Sequence, residues 1–181
     1  ATVTDLNNKV ITDGSYEVTF RNTYHTAPVS IDIIKNVENR SGDTTVSKAG
    51  FEFKAVQTDD HWNPLKGEAA SKLLVYSDAA GEARLTATYR KAGIYRYILT
   101  ERDQNAPGWV YSDAQYRITV TVVEENGELT AAMNIEKSNA QNTREKATVD
   151  PEDATRGVVT FLNIYDPQDA CVDLDSVVSK E

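Results

Sequence analysis

The feature that most limits the folds open to this chain is a period of two. Tyr116–Val122, Leu129–Ile135 and Val158–Tyr165 are rich in β-branched and aromatic residues, and apolar side chains recur at alternate positions, as in strands that bury one face. Turn chemistry separates the runs. Glu125-Asn126-Gly127-Glu128 reads as a tight hairpin, and Asp78-Ala79-Ala80-Gly81 and Pro107-Gly108 as further reversals. Strands at this spacing predict an all-β sandwich. Ser41–Ala49 and Ser138–Arg156 are poor in large apolar residues and are expected to be loops, the second with room for a short helical turn. Glu68–Leu74 reads as a helical turn in a crossover.

The chain also repeats itself. Val18-Thr19-Phe20-Arg21-Asn22-Thr23-Tyr24 matches Val159-Thr160-Phe161-Leu162-Asn163-Ile164-Tyr165 at Val, Thr, Phe, Asn and Tyr, with the two asparagines 141 residues apart, about one domain. Each copy is followed by a strand-like run ending in lysine: Lys35 lies 13 residues after Asn22, and Lys180 lies 17 residues after Asn163. A tandem array is the expected organisation. Residues 1–26 would close a preceding repeat, 27–166 would form one complete sandwich, and 167–181 would be a linker and the first strand of a following repeat.

Parity along the strands exposes an anomaly. Val29, Ile31 and Ile33 share a face with Lys35; Tyr95, Tyr97 and Leu99 share one with Glu101; Asn163 sits between Phe161 and Tyr165 on another. An unpaired charge on a core-facing position costs several kcal/mol or more, so the three polar groups are expected to meet. Burial raises a carboxyl pKa and lowers that of an amine, which makes a neutral acid beside a neutral amine accessible. A neutral lysine is a nucleophile. Lys35 could then attack the Asn163 side-chain amide, with Glu101 polarising the carbonyl and relaying protons to departing ammonia. The product would be a Lys35–Asn163 isopeptide bond.

With 28 acidic and 19 basic residues the chain carries a net charge of −9, which argues against nucleic acid or an anionic membrane surface as a partner. No apolar run is long enough to span a bilayer, and a secretion signal is expected to lie outside these residues. Cys171 stands alone and is expected to be a free thiol in a linker. His25 and His61 lack partners at zinc-ligand spacing, and Asp150, Glu152 and Asp153 lack the alternation of an EF-hand loop, so no metal and no cofactor is expected. Trp62 and Trp109 are expected to pack in core or loops. There is no Gly-rich phosphate loop and no Ser-His-Asp arrangement, so any chemistry would occur once per molecule, without turnover.

At these residues the sequence resembles the pilin isopeptide-linkage domains of Gram-positive pili and surface adhesins, similar to Cna B-type repeats. Phe51-Glu52-Phe53 is similar to the family's second-strand motif, Ala92–Glu101 to its glutamate-bearing strand, Tyr116–Met133 to the hairpin that follows, and Phe161-Leu162-Asn163-Ile164-Tyr165 to its last strand. The resemblance covers about residues 27–166 in the family's order of lysine, glutamate and asparagine. It implies an Ig-like sandwich in which Lys35 and Asn163 are the linked pair and Glu101 the catalytic acid. Asn22 and Lys180 would belong to bonds in adjacent repeats. The sequence departs from the family after Lys35, where Asn36–Arg40 stands in place of a Leu-Thr-Gly-like turn. Lys48 and Lys54 are therefore alternatives, although Lys54 has the parity of a solvent-facing residue.

The expected role is a stalk or spacer repeat of an extracellular, cell-wall-attached pilin or adhesin. Its partners would be neighbouring repeats of the same polypeptide, and the fragment itself a monomer. Two further readings are open: a module that binds a host surface protein or glycan through loops at one end, and strand exchange in which residues 1–26 complete another molecule's sandwich.

Overall fold

The computed structural model describes residues 25–42, 45–67, 72–138 and 143–167. The first copy of the repeated motif with Asn22, and Cys171 and Lys180, lie outside these residues. Ten strands follow in order: β1 Ala27–Asn39, β2 Glu52–Thr58, β3 Lys72–Tyr76, β4 Glu82–Tyr89, β5 Gly93–Glu101, β6 Trp109–Val110, β7 Gln115–Glu125, β8 Glu128–Lys137, β9 Ala147–Val149 and β10 Arg156–Tyr165. They form two sheets. One runs β4-β1-β10-β6 with β9 also on β10, and the other runs β3-β2-β5-β7-β8. The inner faces meet as a sandwich, as the alternation requires.

The long strands form where the period-two runs were found. On β7 from Tyr116 to Val122 and on β10 from Gly157 to Asn163 every second residue is buried, including Tyr116, Ile118, Val120 and Val122 on one and Val159 and Phe161 on the other. Asn126 and Gly127 both take positive φ, 54° and 81°, the geometry of the tight turn that matches strand twist and joins β7 to β8. The first and last strands, β1 and β10, lie side by side and parallel, with Lys35 opposite Phe161 and Val37 opposite Asn163.

Two expectations need correction. Lys72–Leu74, read as part of a helical turn, belong instead to strand β3, which pairs with β2 alone at the sheet edge. Leu74 and Tyr76 stand 49% and 55% exposed there, so apolar residues occupy both faces and the alternation that marks a strand is erased. The segment read as the loop 138–156 contains β9, three residues that add to the edge of β10. Backbone pairing builds β9 with only partly buried side chains, which leaves little apolar signal to read.

Candidate functional site

β1 brings Lys35 inward because Val29, Ile31 and Ile33 precede it on the same face, each 6% exposed or less. The backbone at Lys35 is held by the Asp78–Gly81 turn, whose Gly81 carbonyl accepts from the Lys35 N–H at 2.6 Å. A Cβ on Gly81 would lie 2.6 Å from the Lys35 carbonyl oxygen, and φ there is +85°, so only glycine fits. β10 delivers Asn163 by the same alternation, two positions along the parallel ladder from the residue opposite Lys35. Glu101 arrives from the opposing sheet, at the end of β5 and paired in register with Phe53 of β2.

These three side chains meet in the interior. Lys35 Nζ donates to Glu101 Oε2 at 2.7 Å, and Asn163 Nδ2 donates to Glu101 Oε1 at 2.7 Å. The Lys35 and Glu101 side chains are both 0% exposed, as is Asn163. Aromatic rings enclose them. The Phe51 ring centroid lies 4.8 Å from Lys35 Nζ, and Phe161 packs against Phe53 at 5.0 Å and Tyr116 at 5.1 Å. Outside this layer Trp109 packs on Phe51 at 5.1 Å and on Tyr165 at 4.9 Å.

So dry a setting pulls both titratable groups toward neutrality. Desolvation lowers Lys35 to about 8 even though the neighbouring Glu101 carboxylate opposes the shift. Desolvation likewise raises Glu101, against the pull of the Lys35 charge and hydrogen bond and of the Asn163 amide. A neutral amine beside a neutral acid carries the same number of protons as the ion pair, so one proton moving along the 2.7 Å line interconverts them.

The amide faces differently from the sequence-based expectation. Ser112 N–H, which can only donate, bonds Asn163 Oδ1 at 2.7 Å, and this fixes which end of the amide is oxygen. Glu101 therefore meets the nitrogen of Asn163 and not its carbonyl oxygen, which instead accepts a backbone N–H that the sequence analysis did not identify. A second buried acid also escaped it. Glu145, 4% exposed, takes the Ser112 hydroxyl on Oε1 and the Leu162 N–H at 3.1 Å, with Lys137 Nζ 3.4 Å from Oε2. Both residues lie in irregular segments where no periodicity assigns a facing.

The alternative lysines stay outside this cluster: Lys48 and Lys54 are partly exposed. His25 and His61 are exposed. Asp59 beside His61 caps a turn, accepting from the backbone N–H groups of His61 and Asn63 at 2.9 and 2.8 Å. Asp150 and Asp153 do the same for Glu152 and Thr155. Trp62 stacks under the Arg117 guanidinium, 5.0 Å from its ring centroid. No helix of the described residues is long and apolar enough to cross a membrane.

The fold is an all-β sandwich of two sheets. Within that class the chain belongs to the FctA family, the Spy0128-like isopeptide containing domains, whose model matches residues 31–166. Among solved structures it is similar to the major pilin T-13 of Streptococcus pyogenes, with 16% identity, a TM-score of 0.41, and 79% of this chain and 55% of that chain covered. It is similar also to another Streptococcus pyogenes major pilin, with 18% identity, a TM-score of 0.38, and 80% and 51% covered. The chain thus spans about half the length of these pilins. No curated protein matches it.

Proposed function

We propose that this domain is a structural stalk module that locks itself with an isopeptide bond between Lys35 and Asn163, promoted by Glu101. The observation that carries the reading is the buried hydrogen-bond chain from Lys35 Nζ through both oxygens of Glu101 to Asn163 Nδ2. Membership of an isopeptide-containing family supports it. So does the placement of lysine and asparagine on the domain's first and last strands.

The chemistry balances with these groups alone. Proton transfer from Nζ to Glu101 gives an amine and a carboxylic acid, and the amine lone pair attacks Cγ of Asn163. Electrons displaced from the carbonyl collect on Oδ1, where the Ser112 N–H stabilises the oxyanion. Glu101 gives its proton to Nδ2 and takes one from Nζ, the Cγ–Nδ2 bond breaks, and ammonia leaves. Holding the groups at contact distance supplies an effective concentration on the order of 10⁵ M or above, which offsets the poor electrophilicity of an amide. Nothing turns over: the enzyme-like step occurs once per chain.

As a stalk module the domain would sit at the cell surface in an array with neighbouring repeats, in keeping with the duplicated Val-Thr-Phe-x-Asn-x-Tyr motif. Intact-mass measurement tests the core of this proposal. The folded chain should weigh one ammonia less than its sequence, and Glu101→Ala should restore the full mass; a native chain at full sequence mass would overturn it.

A further inference from the structure

Along its outer edge β10 has an incomplete ladder. β9 pairs with residues 157–159 and β6 with residues 164–165, the Lys146 carbonyl takes the Thr160 N–H at 2.9 Å, and residues 161–163 have no strand partner on that side among the described residues. Glu145 fills this gap with a side chain. Its Oε1 accepts the Leu162 N–H at 3.1 Å, the place a strand carbonyl would take. The same oxygen accepts the hydroxyl of Ser112. That hydroxyl cannot turn elsewhere without loss, because its oxygen is held by the Ala114 N–H at 3.1 Å. One carboxylate oxygen thus ties the residue before Asn163 to the residue whose N–H sits on Asn163 Oδ1.

Burying this acid has a cost that packing does not explain. Glu145 is 4% exposed, and its Oε2 is ion-paired with the Lys137 ammonium at 3.4 Å. A buried carboxylate, even one that is ion-paired, often stabilises a core no better than an apolar side chain of similar volume. Its interactions converge instead on the two backbone positions that aim the amide.

We propose that Glu145 is a positioning residue for the cross-linking reaction: through the Ser112 hydroxyl it holds the Ser112 N–H on the Asn163 oxygen where negative charge develops. The inference rests on the cross-linking reading above. Loss of an oxyanion donor costs roughly a hundredfold or more in rate, and loosening one costs less; Glu145→Ala and Ser112→Ala should each slow bond formation roughly ten- to hundredfold.

The test is a time course of ammonia loss in the full chain made by cell-free translation, quenched into acidic denaturant and weighed intact. Glu145→Ala and Ser112→Ala should both be slow, and the double variant no slower than the slower single, since both act through one hydrogen bond. Glu145→Gln keeps an acceptor oxygen for Ser112 and should recover most of the rate, whereas Glu145→Met, of similar volume but with no acceptor for Ser112, should stay slow, which a role in packing alone would not allow. The same substitutions in a Glu101→Ala background show by thermal unfolding that each fold persists at the reaction temperature. If Glu145→Ala fails that check, Ser112→Ala, which removes a single hydroxyl, carries the comparison. Variants that react as fast as the unmodified chain would overturn the proposal, as would Glu145→Gln as slow as Glu145→Ala. A wild-type chain that never loses ammonia sinks the cross-linking reading itself, so the two failures are distinguishable.

Discussion

The two ends of this sandwich's core are built on opposite principles. At one end Val29, Ile31, Leu85, Tyr89, Ile118 and Val120 line a small apolar cavity, where the Tyr89 and Tyr97 hydroxyls bond each other at 3.3 Å. At the other, an amine, an amide and a carboxyl lie among Phe51, Phe53 and Phe161 with every polar atom of the three engaged. The same strands, β1 and β5, run through both ends, so alternation alone does not set the difference. What differs is that the apolar end can relax by repacking, whereas the polar end is secure only while all of its partners are present. Stability at one end is distributed over many contacts; at the other it is concentrated in a few atoms.

Breaking the polar end should have the largest effect. In Lys35→Ala, Glu101→Ala or Asn163→Ala the ammonia loss should disappear, and with it about 5 kcal/mol of unfolded-state constraint from a loop of this length. For a domain of this size that is a fall in thermal midpoint on the order of 15 °C, measurable by calorimetry, with mass spectrometry reporting the missing bond. A midpoint unchanged in all three variants would show that the two ends differ in composition only.

Damage at the apolar end should be smaller and chemically silent. Ile31→Ala should cost about 2–5 kcal/mol through cavity formation, seen as a lower denaturant midpoint. The mass should still show complete loss of ammonia. If Ile31→Ala also blocks the bond, the ends are coupled and the comparison must be redrawn.

Acidity acts on the polar end alone and should have the next largest effect. The reactive state holds one proton between Lys35 and Glu101, so the rate of ammonia loss should be flat while the pair keeps that proton. Above about pH 8, where Lys35 titrates, the shared proton leaves and Glu101 has none to give to the departing nitrogen; the rate should fall about tenfold for each further pH unit. On the acid side a second proton occupies the amine lone pair, and the rate should fall again. A rate that keeps climbing well past pH 8 would show that Glu101 is no proton donor.

The smallest effect belongs to the surface. Arg84 pairs with Asp32 on the solvent face of β1 and β4, where water screens both charges. Arg84→Ala should leave the thermal midpoint within error and the mass unchanged. A drop comparable to that of Ile31→Ala would mean that the outer face contributes more than either end of the core.

How much of this was legible in the sequence follows from the same contrast. Parity placed Lys35, Glu101 and Asn163 on inward faces because each ends or interrupts an apolar series, and all three are buried. The β7–β8 hairpin was legible from Asn126-Gly127. Strand β3 was not, because Leu74 and Tyr76 point outward from an edge and hide the period. Glu145 and Ser112 were invisible for a different reason. They lie in irregular segments and act across 33 residues of sequence, a pairing that only the closed sandwich creates. The sequence also suggested the wrong atom for Glu101, since which way an amide turns depends on a backbone N–H that no periodicity reports.

The parallel pairing of β1 with β10 has a bearing on timing. Of the described strands, the one that carries Asn163 is the last to leave the ribosome, so the proposed lock could not close before it emerged. Until then the chain is an open thread that can pass a narrow pore or be unfolded and tried again. Joined as proposed, residues 35–163 would form a closed ring, and a machine drawing on either terminus would meet a knot-like obstruction in place of a strand to peel.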